Sequence, residues 1–167
     1  ERSVSKRILI PKENFMKILV FSDSHGASSK IVKAIEAHKG IADLVIFLGD
    51  GLRDIETVKE KFPSLTFFSV KGNCDFCAEA PKQSVLDLDG IRVLICHGDR
   101  YNVKHTKDTI SHPAAALEVA AILLGHTHMP LEACEYVGQR RIQLFNPGSI
   151  ATTDTYGVLN TSGKVLV

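Results

Sequence analysis

The sequence predicts an α/β protein whose parallel strands come first and whose antiparallel strands come later. Three observations carry this. Short apolar runs alternate with amphipathic helical patterns over the first half. A turn dipeptide, Asp89-Gly90, then sits between two β-rich runs, the mark of a hairpin. The remaining runs are separated by turns rather than by helices, with no repeats and no low-complexity stretch to mark a domain boundary.

"KILVFS" at 17–22 is mostly apolar and rich in β-formers, as in a strand buried on both faces. In 28–39, Ile31, Val32, Ala34 and Ile35 form one helical stripe, with Ser28 or Ser29 expected as cap. "LVIFL" (44–48) is a second buried strand. A helix over 52–62 is read from Leu52, Ile55, Val58 and Phe62 and is ended by Pro63. "LTFFSV" (65–70) is the third strand. A β-α-β-α-β order of this length argues for a parallel sheet with crossover helices. The hairpin spans 83–98, and a helix over 107–120 is expected to break near Pro113. Strands come next at 121–124, at 131–137, at 141–145 beyond the turn Gly138-Gln139, and as a final pair within 155–167.

Composition narrows the function. The 167 residues are 44% apolar and 23% charged, with net charge +1, which suits an ordinary globular chain. That balance gives no electrostatic drive toward nucleic acid or an anionic membrane, and no apolar stretch has the length of a membrane helix. Residues 1–15 differ in character from the rest of the chain, and "MKILVFSDSHG" from Met16 reads as the start of a folded domain running to Val167. The first fifteen residues are therefore expected to be an extension or leader, and the chain cytoplasmic. Cys74 and Cys77 form a lone C-x-x-C, which lacks the partner motif of a zinc ribbon and the context of a redox pair. Cys96 and Cys134 fall in strand patterns and read as core.

The chemistry lies just beyond the strands. Asp23 and His25 come after the first, Asp50 after the second, and Asn73, Cys74 and Asp75 after the third. His97 comes after the hairpin, and His126 and His128 after "AILL". Ligands of α/β sheets bind at the carboxyl ends of strands, so five strand ends aim these groups at one edge. Each alone has a plain reading: Asp23 as a helix-entry cap, Asp50 as a turn, His97 as a strand end. Together they form a carboxylate, imidazole and amide set suited to divalent metals. Seven of them, Asp23, His25, Asp50, Asn73, His97, His126 and His128, exceed one ion and suit two if a carboxylate bridges. In extended chain, residues two apart share a face, which would aim Asp23 with His25, and His126 with His128, into one site. Gly125 would let the chain approach closely.

The ordered pattern D-x-H, G-D, G-N-x-D, H and G-H-x-H resembles the calcineurin-like metallophosphoesterases, in particular the small YfcE-like phosphodiesterases. It extends from Met16 to Val167 and includes "NPGS" at 146–149. The resemblance implies a four-layer αββα sandwich: two mixed β-sheets flanked by helices. It implies one metal on Asp23, His25, Asp50 and His128, and a second on Asp50, Asn73, His97 and His126, with Asp50 as bridge. Asp50, Asn73 and His97 would carry the catalytic chemistry, and Asp75 would orient a ligand. Asp54 receives no ligand role.

Larger members have a histidine, credited with protonating the leaving group, where this chain has Cys74. A thiol is a poor proton donor there, so either substrates with good leaving groups are favoured or another group donates the proton. The activity expected is a binuclear phosphodiesterase with a metal-bridging hydroxide as nucleophile, its cofactor two divalent ions, Mn²⁺ ahead of Fe, Zn, Ni or Mg. The expected partner is a small phosphoester, with neither membrane nor nucleic acid, and homo-oligomers are left open. The rival is a weak or inactive scaffold of the same fold, acting in protein–protein interaction; such a scaffold would be expected to have lost ligands. His38 reads as solvated, His105 and His112 as surface residues, and the "NPGS" turn as a wall of the site.

Overall fold

The computed structural model describes residues 15–76, 78–106, 108–162 and 165–166. Two five-stranded sheets pack face to face. The first has strand order β10-β9-β1-β2-β3, formed by Val165–Leu166, Gly157–Ser162, Lys17–Phe21, Leu44–Phe47 and Thr66–Ser69. The second has order β4-β5-β6-β8-β7, formed by Gln83–Leu88, Ile91–Cys96, Ala121–Leu123, Arg140–Pro147 and Pro130–Val137. Helices α1 (Ser28–Ala37) and α2 (Leu52–Lys61) cover the first sheet, and α3 (Asp108–Ala116) covers the second.

Strand periodicity builds the layers. Ile18 and Val20 of β1 face the other sheet, with Leu44, Ile46, Val93, Ile95 and Leu123. Leu19 and Phe21 face the helices, with Val45, Phe47, Ile31, Ile35, Ile55 and Val58. On the far side Leu94, Ile122, Ile142 and Leu144 meet Ile110 and Ala114 of α3. Each such side chain, fully buried, contributes about 1.5–3 kcal/mol. The result is the αββα sandwich expected. β1 and β2 are buried on both faces because they are central and covered twice.

The β1-β2-β3 pairings are parallel, as expected. The division into a parallel first half and an antiparallel second half does not hold. Chain-terminal β9 returns to pair antiparallel with β1. The second sheet joins its two hairpins through parallel pairs, β5 with β6 and β6 with β8. Asp89 and Gly90 both have positive φ, 53° and 81°, which fits the tight turn of the β4-β5 hairpin.

Four local expectations need correction. The helix α1 has Ala27 at its N-cap and no side-chain cap, because Ser28 is already helical. The helix α3 does not break at Pro113 but runs three residues past it; Ile110 and Ala114, on either side of the proline, are anchored in the core. Cys134 is exposed, unlike buried Cys96: β7 is an edge strand on which alternate residues face out. His38 is half-buried, its Nε2 lying 3.2 Å from the Tyr156 hydroxyl. His105 and His112 are exposed as expected. The expected extension, residues 1–15, lies outside the described residues apart from Phe15, as does Cys77 of the C-x-x-C. Among the described residues no helix is long and apolar enough to cross a membrane.

Candidate metal centre

The strand ends of both sheets meet at one edge of the sandwich. Asp23 is fully buried there. Its Oδ2 accepts from the Ser22 hydroxyl at 2.6 Å and from the His126 amide at 3.1 Å. Its Oδ1 is buried without a hydrogen bond. Around that oxygen stand three imidazole Nε2 atoms: His128 at 3.1 Å, His25 at 3.9 Å and His97 at 3.9 Å. A buried carboxylate oxygen is costly when unsatisfied, and this one faces three imidazole nitrogens. The arrangement suits a cation.

Asp50 stands just beyond β2. Its Oδ1 accepts from the Cys74 amide at 2.8 Å, and its Oδ2 lies 3.4 Å from His97 Nε2 and 3.9 Å from His25 Nε2. Burial by itself would raise this carboxyl, but His97 and the Cys74 amide outweigh it and hold the group far below the usual carboxylate range. Asp50 is therefore an anion at any working pH.

His97 is fully buried, and its Nδ1 lies 2.8 Å from the Leu48 carbonyl. That contact places the proton on Nδ1 and leaves Nε2 as a lone pair aimed at the two carboxylates. Burial lowers the His97 pKa, yet Asp50 and Asp23 outweigh it and the net shift is upward. His126 shifts the other way, through burial and then through His97 and Lys104; its Nδ1 sits 3.2 Å from His97 Nε2.

The donor atoms fall into three overlapping groups, each with all atoms within 4.8 Å of one another: Asp23, His25 and His128; Asp23, Asp50 and His97; and His25, Asp50 and Cys74. Asp23 and Asp50 thus each belong to two groups. Asn73 is exposed at the mouth, its amide nitrogen 3.3 Å from Cys74 Sγ. Cys74, which the sequence suggested only as a poor proton donor, stands within ligand reach of His25 and Asp50. The hydrogen bond to Asp50, burial and the nearby Asp75 and Asp23 push its thiol pKa up, so the thiol keeps its proton at neutral pH.

A model of the calcineurin-like phosphoesterase superfamily domain matches residues 16–164. The chain belongs to that superfamily. It is 31% identical over 150 residues to the probable metallophosphoesterase YsnB of Bacillus subtilis, covering 86% of this chain and 83% of that protein. A predicted phosphoesterase of Streptococcus pneumoniae, known from its crystal structure, shares 29% identity with a TM-score of 0.71, over 89% of this chain and 84% of that one. Vacuolar protein sorting 29 of Cryptosporidium parvum shares the fold, with TM-score 0.71 and 14% identity over 92% and 89% of the two chains. The superfamily depends on metal, and the orphaned Asp23 Oδ1 among imidazole nitrogens fits that dependence.

How the loops converge departs from the sequence argument. Asp23, His25, Asp50, His126 and His128 all have left-handed φ, between 40° and 68°. Asp23 with His25, and His126 with His128, reach the site through tight turns and not along an extended strand. The two histidines of "GHTH" do diverge: His126 turns to His97, and His128 to Asp23. Gly125 permits the approach, since a Cβ there would overlap the Ser22 hydroxyl and lie 3.0 Å from Asp23 Oδ2.

The sequence singled out Asp75 and the "NPGS" turn, but not the backbone atoms they brace. Asp75 accepts four backbone amides: Asp50 at 2.8 Å and Gly72 at 3.0 Å on Oδ2, Gly51 at 3.0 Å and Leu52 at 2.9 Å on Oδ1. It ties the loop after β3 to the loop after β2 and caps α2 from outside the helix. Asp54 accepts from the Ser24 hydroxyl at 2.5 Å and the Gly26 amide at 2.8 Å, fixing the turn that carries His25. The "NPGS" segment is a brace as well as a wall. Asn146 donates to the Gly125 carbonyl at 2.9 Å, and Ser149 donates to the Asp23 carbonyl at 2.8 Å. No local pattern announces these roles, because apart from the Gly72 amide every partner is distant in sequence.

Proposed function

We propose that the protein is a phosphodiesterase that works with two divalent ions, manganese first among them. The observation that carries this is Asp23 Oδ1, buried, without a hydrogen bond, and ringed by Nε2 of His25, His97 and His128. Asp23, His25, Asp50 and His128 would hold one ion, and Asp50, Asn73, His97 and His126 the other. Such ions, when bound, supply a hydroxide at neutral pH and polarise the phosphoryl oxygens.

The chain's own residues do the rest. Asp50, kept ionised, lies between the two histidine sets and holds both in register. The Leu48 carbonyl fixes the His97 tautomer, so Nε2 stays a donor to a cation. Asn73, exposed at the mouth, would donate to an equatorial phosphoryl oxygen as charge grows there. Cys74, its thiol pKa raised, would be a weak proton donor, which favours esters with good leaving groups. The free thiols of Cys74, Cys96 and Cys134 suit a reducing compartment, the cytoplasm.

The test is hydrolysis of bis-p-nitrophenyl phosphate beside p-nitrophenyl phosphate by chelator-stripped protein, with and without Mn²⁺. Metal-dependent cleavage, faster for the diester and abolished in Asp50→Asn, is the expected result. Full turnover in Asp50→Asn would refute the mechanism. No turnover together with no metal uptake would favour the scaffold reading.

A further inference from the structure

Phe76 is the most exposed large apolar side chain among the described residues, at 87%. One residue earlier, the Asp75 carboxylate holds four amides. Two residues later, the Ala78 amide donates to the Asp75 carbonyl at 3.3 Å, and the Ala78 carbonyl accepts from Lys71 Nζ at 3.3 Å. The ring is thus presented to solvent beside Asp75, whose carboxylate is tied to the loops around it.

The ring also lines a cleft of about 760 Å³ that includes His25, Asp50 and Cys74. Phe76 is two residues from Cys74, at most about 7 Å along an extended chain, and the Cys74 amide touches Asp50. The volume is that of a site for a whole small molecule and exceeds what one phosphoryl group needs. Glu56 and Glu79 share the wall with a lone cation, Arg53. That balance disfavours a polyanion and admits a compact, uncharged, planar group.

We propose that Phe76 determines specificity: it stacks on an aromatic non-leaving ester group of the phosphodiester, an aryl or single nucleobase moiety, while the phosphoryl group lies at Asp50. The inference rests on the phosphodiesterase reading.

The test uses Mn²⁺-loaded wild type, Phe76→Ala and Phe76→Tyr with two diesters sharing a p-nitrophenolate leaving group, phenyl p-nitrophenyl phosphate and methyl p-nitrophenyl phosphate. Phe76→Ala should lose about 5- to 150-fold in kcat/KM on the phenyl ester and less than about twofold on the methyl ester. Phe76→Tyr should keep the preference. Calorimetry with phenylphosphonate and methylphosphonate should show the same selective loss in binding. Because the side chain is exposed, the melting temperature should not change. Equal losses on both esters, or no loss on the phenyl ester and phenylphosphonate, would overturn the proposal. Selective phosphonate binding without turnover of either ester would remove the phosphodiesterase reading and keep the aromatic subsite. Neither turnover nor binding would remove both.

Discussion

Replacing Asp75 by asparagine isolates the brace from the ligands it supports. The carboxylate accepts amides from Asp50, Gly51, Leu52 and Gly72 at 2.8–3.0 Å, two on each oxygen. Asparagine keeps one oxygen and turns an NH₂ toward the other pair. Either the Asp50 and Gly72 amides or the Gly51 and Leu52 amides then face a donor. Charge-assisted hydrogen bonds contribute about 1.5–3 kcal/mol each. Discounted for the partial exposure of this side chain, the loss of two comes to about 3 kcal/mol. For a chain of this size that lowers the melting temperature by about 6–12 °C. Asp50 would also lose its fixed backbone, so Mn²⁺ affinity should fall by about 10- to 100-fold. Thermal unfolding monitored by circular dichroism, with Mn²⁺ titration calorimetry on the same samples, measures both. A melting point within about 2 °C of wild type, with unchanged metal affinity, would refute the brace.

Three further outcomes rest on the same geometry. Gly125→Ala drives a Cβ into the Ser22 hydroxyl, an overpacking that should cost about 1–3 kcal/mol; unchanged melting and metal content would show that close approach is not why glycine stands there. Mn²⁺ at about 100 times its Kd should stabilise the chain by about 2.7 kcal/mol, and the absence of any rise in melting temperature would count against the metal centre. Cys74→His should preserve or raise the rate on p-nitrophenyl phosphate relative to the diester, whereas a loss on both substrates would mean that the thiol itself is needed.

The layers were legible because they rest on periodicity. Alternation in "KILVF" and the stripe Ile31, Ala34, Ile35 place side chains whatever lies far away in the chain. The candidate ligands were legible for a related reason: each stands directly after an apolar run, and strand ends of one sheet edge converge. Backbone turns were not. Nothing local marks His126 or His128 as left-handed, and a Pro113 that reads as a breaker is overruled by Ile110 and Ala114 in the core. Cys134 looked like core because strand pattern alone does not tell a central strand from an edge. Motifs contain Asp75, Asn146 and Ser149, but not which distant backbone atoms they hold, such as the Gly125 and Asp23 carbonyls.

The left-handed turns have a consequence for how this protein can change over time. Nine residues other than glycine have positive φ among those described, and five of them are candidate ligands: Asp23, His25, Asp50, His126 and His128. A side chain in that conformation costs about 1–2 kcal/mol that glycine avoids. The site is thus held in place against the chain's own preferences, and its keep is justified only while the ligands are in use. A descendant freed from binding metal would gain stability by exchanging these residues for glycine or asparagine. Loss of chemistry in such a lineage should first be read at those five turns, as drift toward small residues, while the buried strands between them stay as they are.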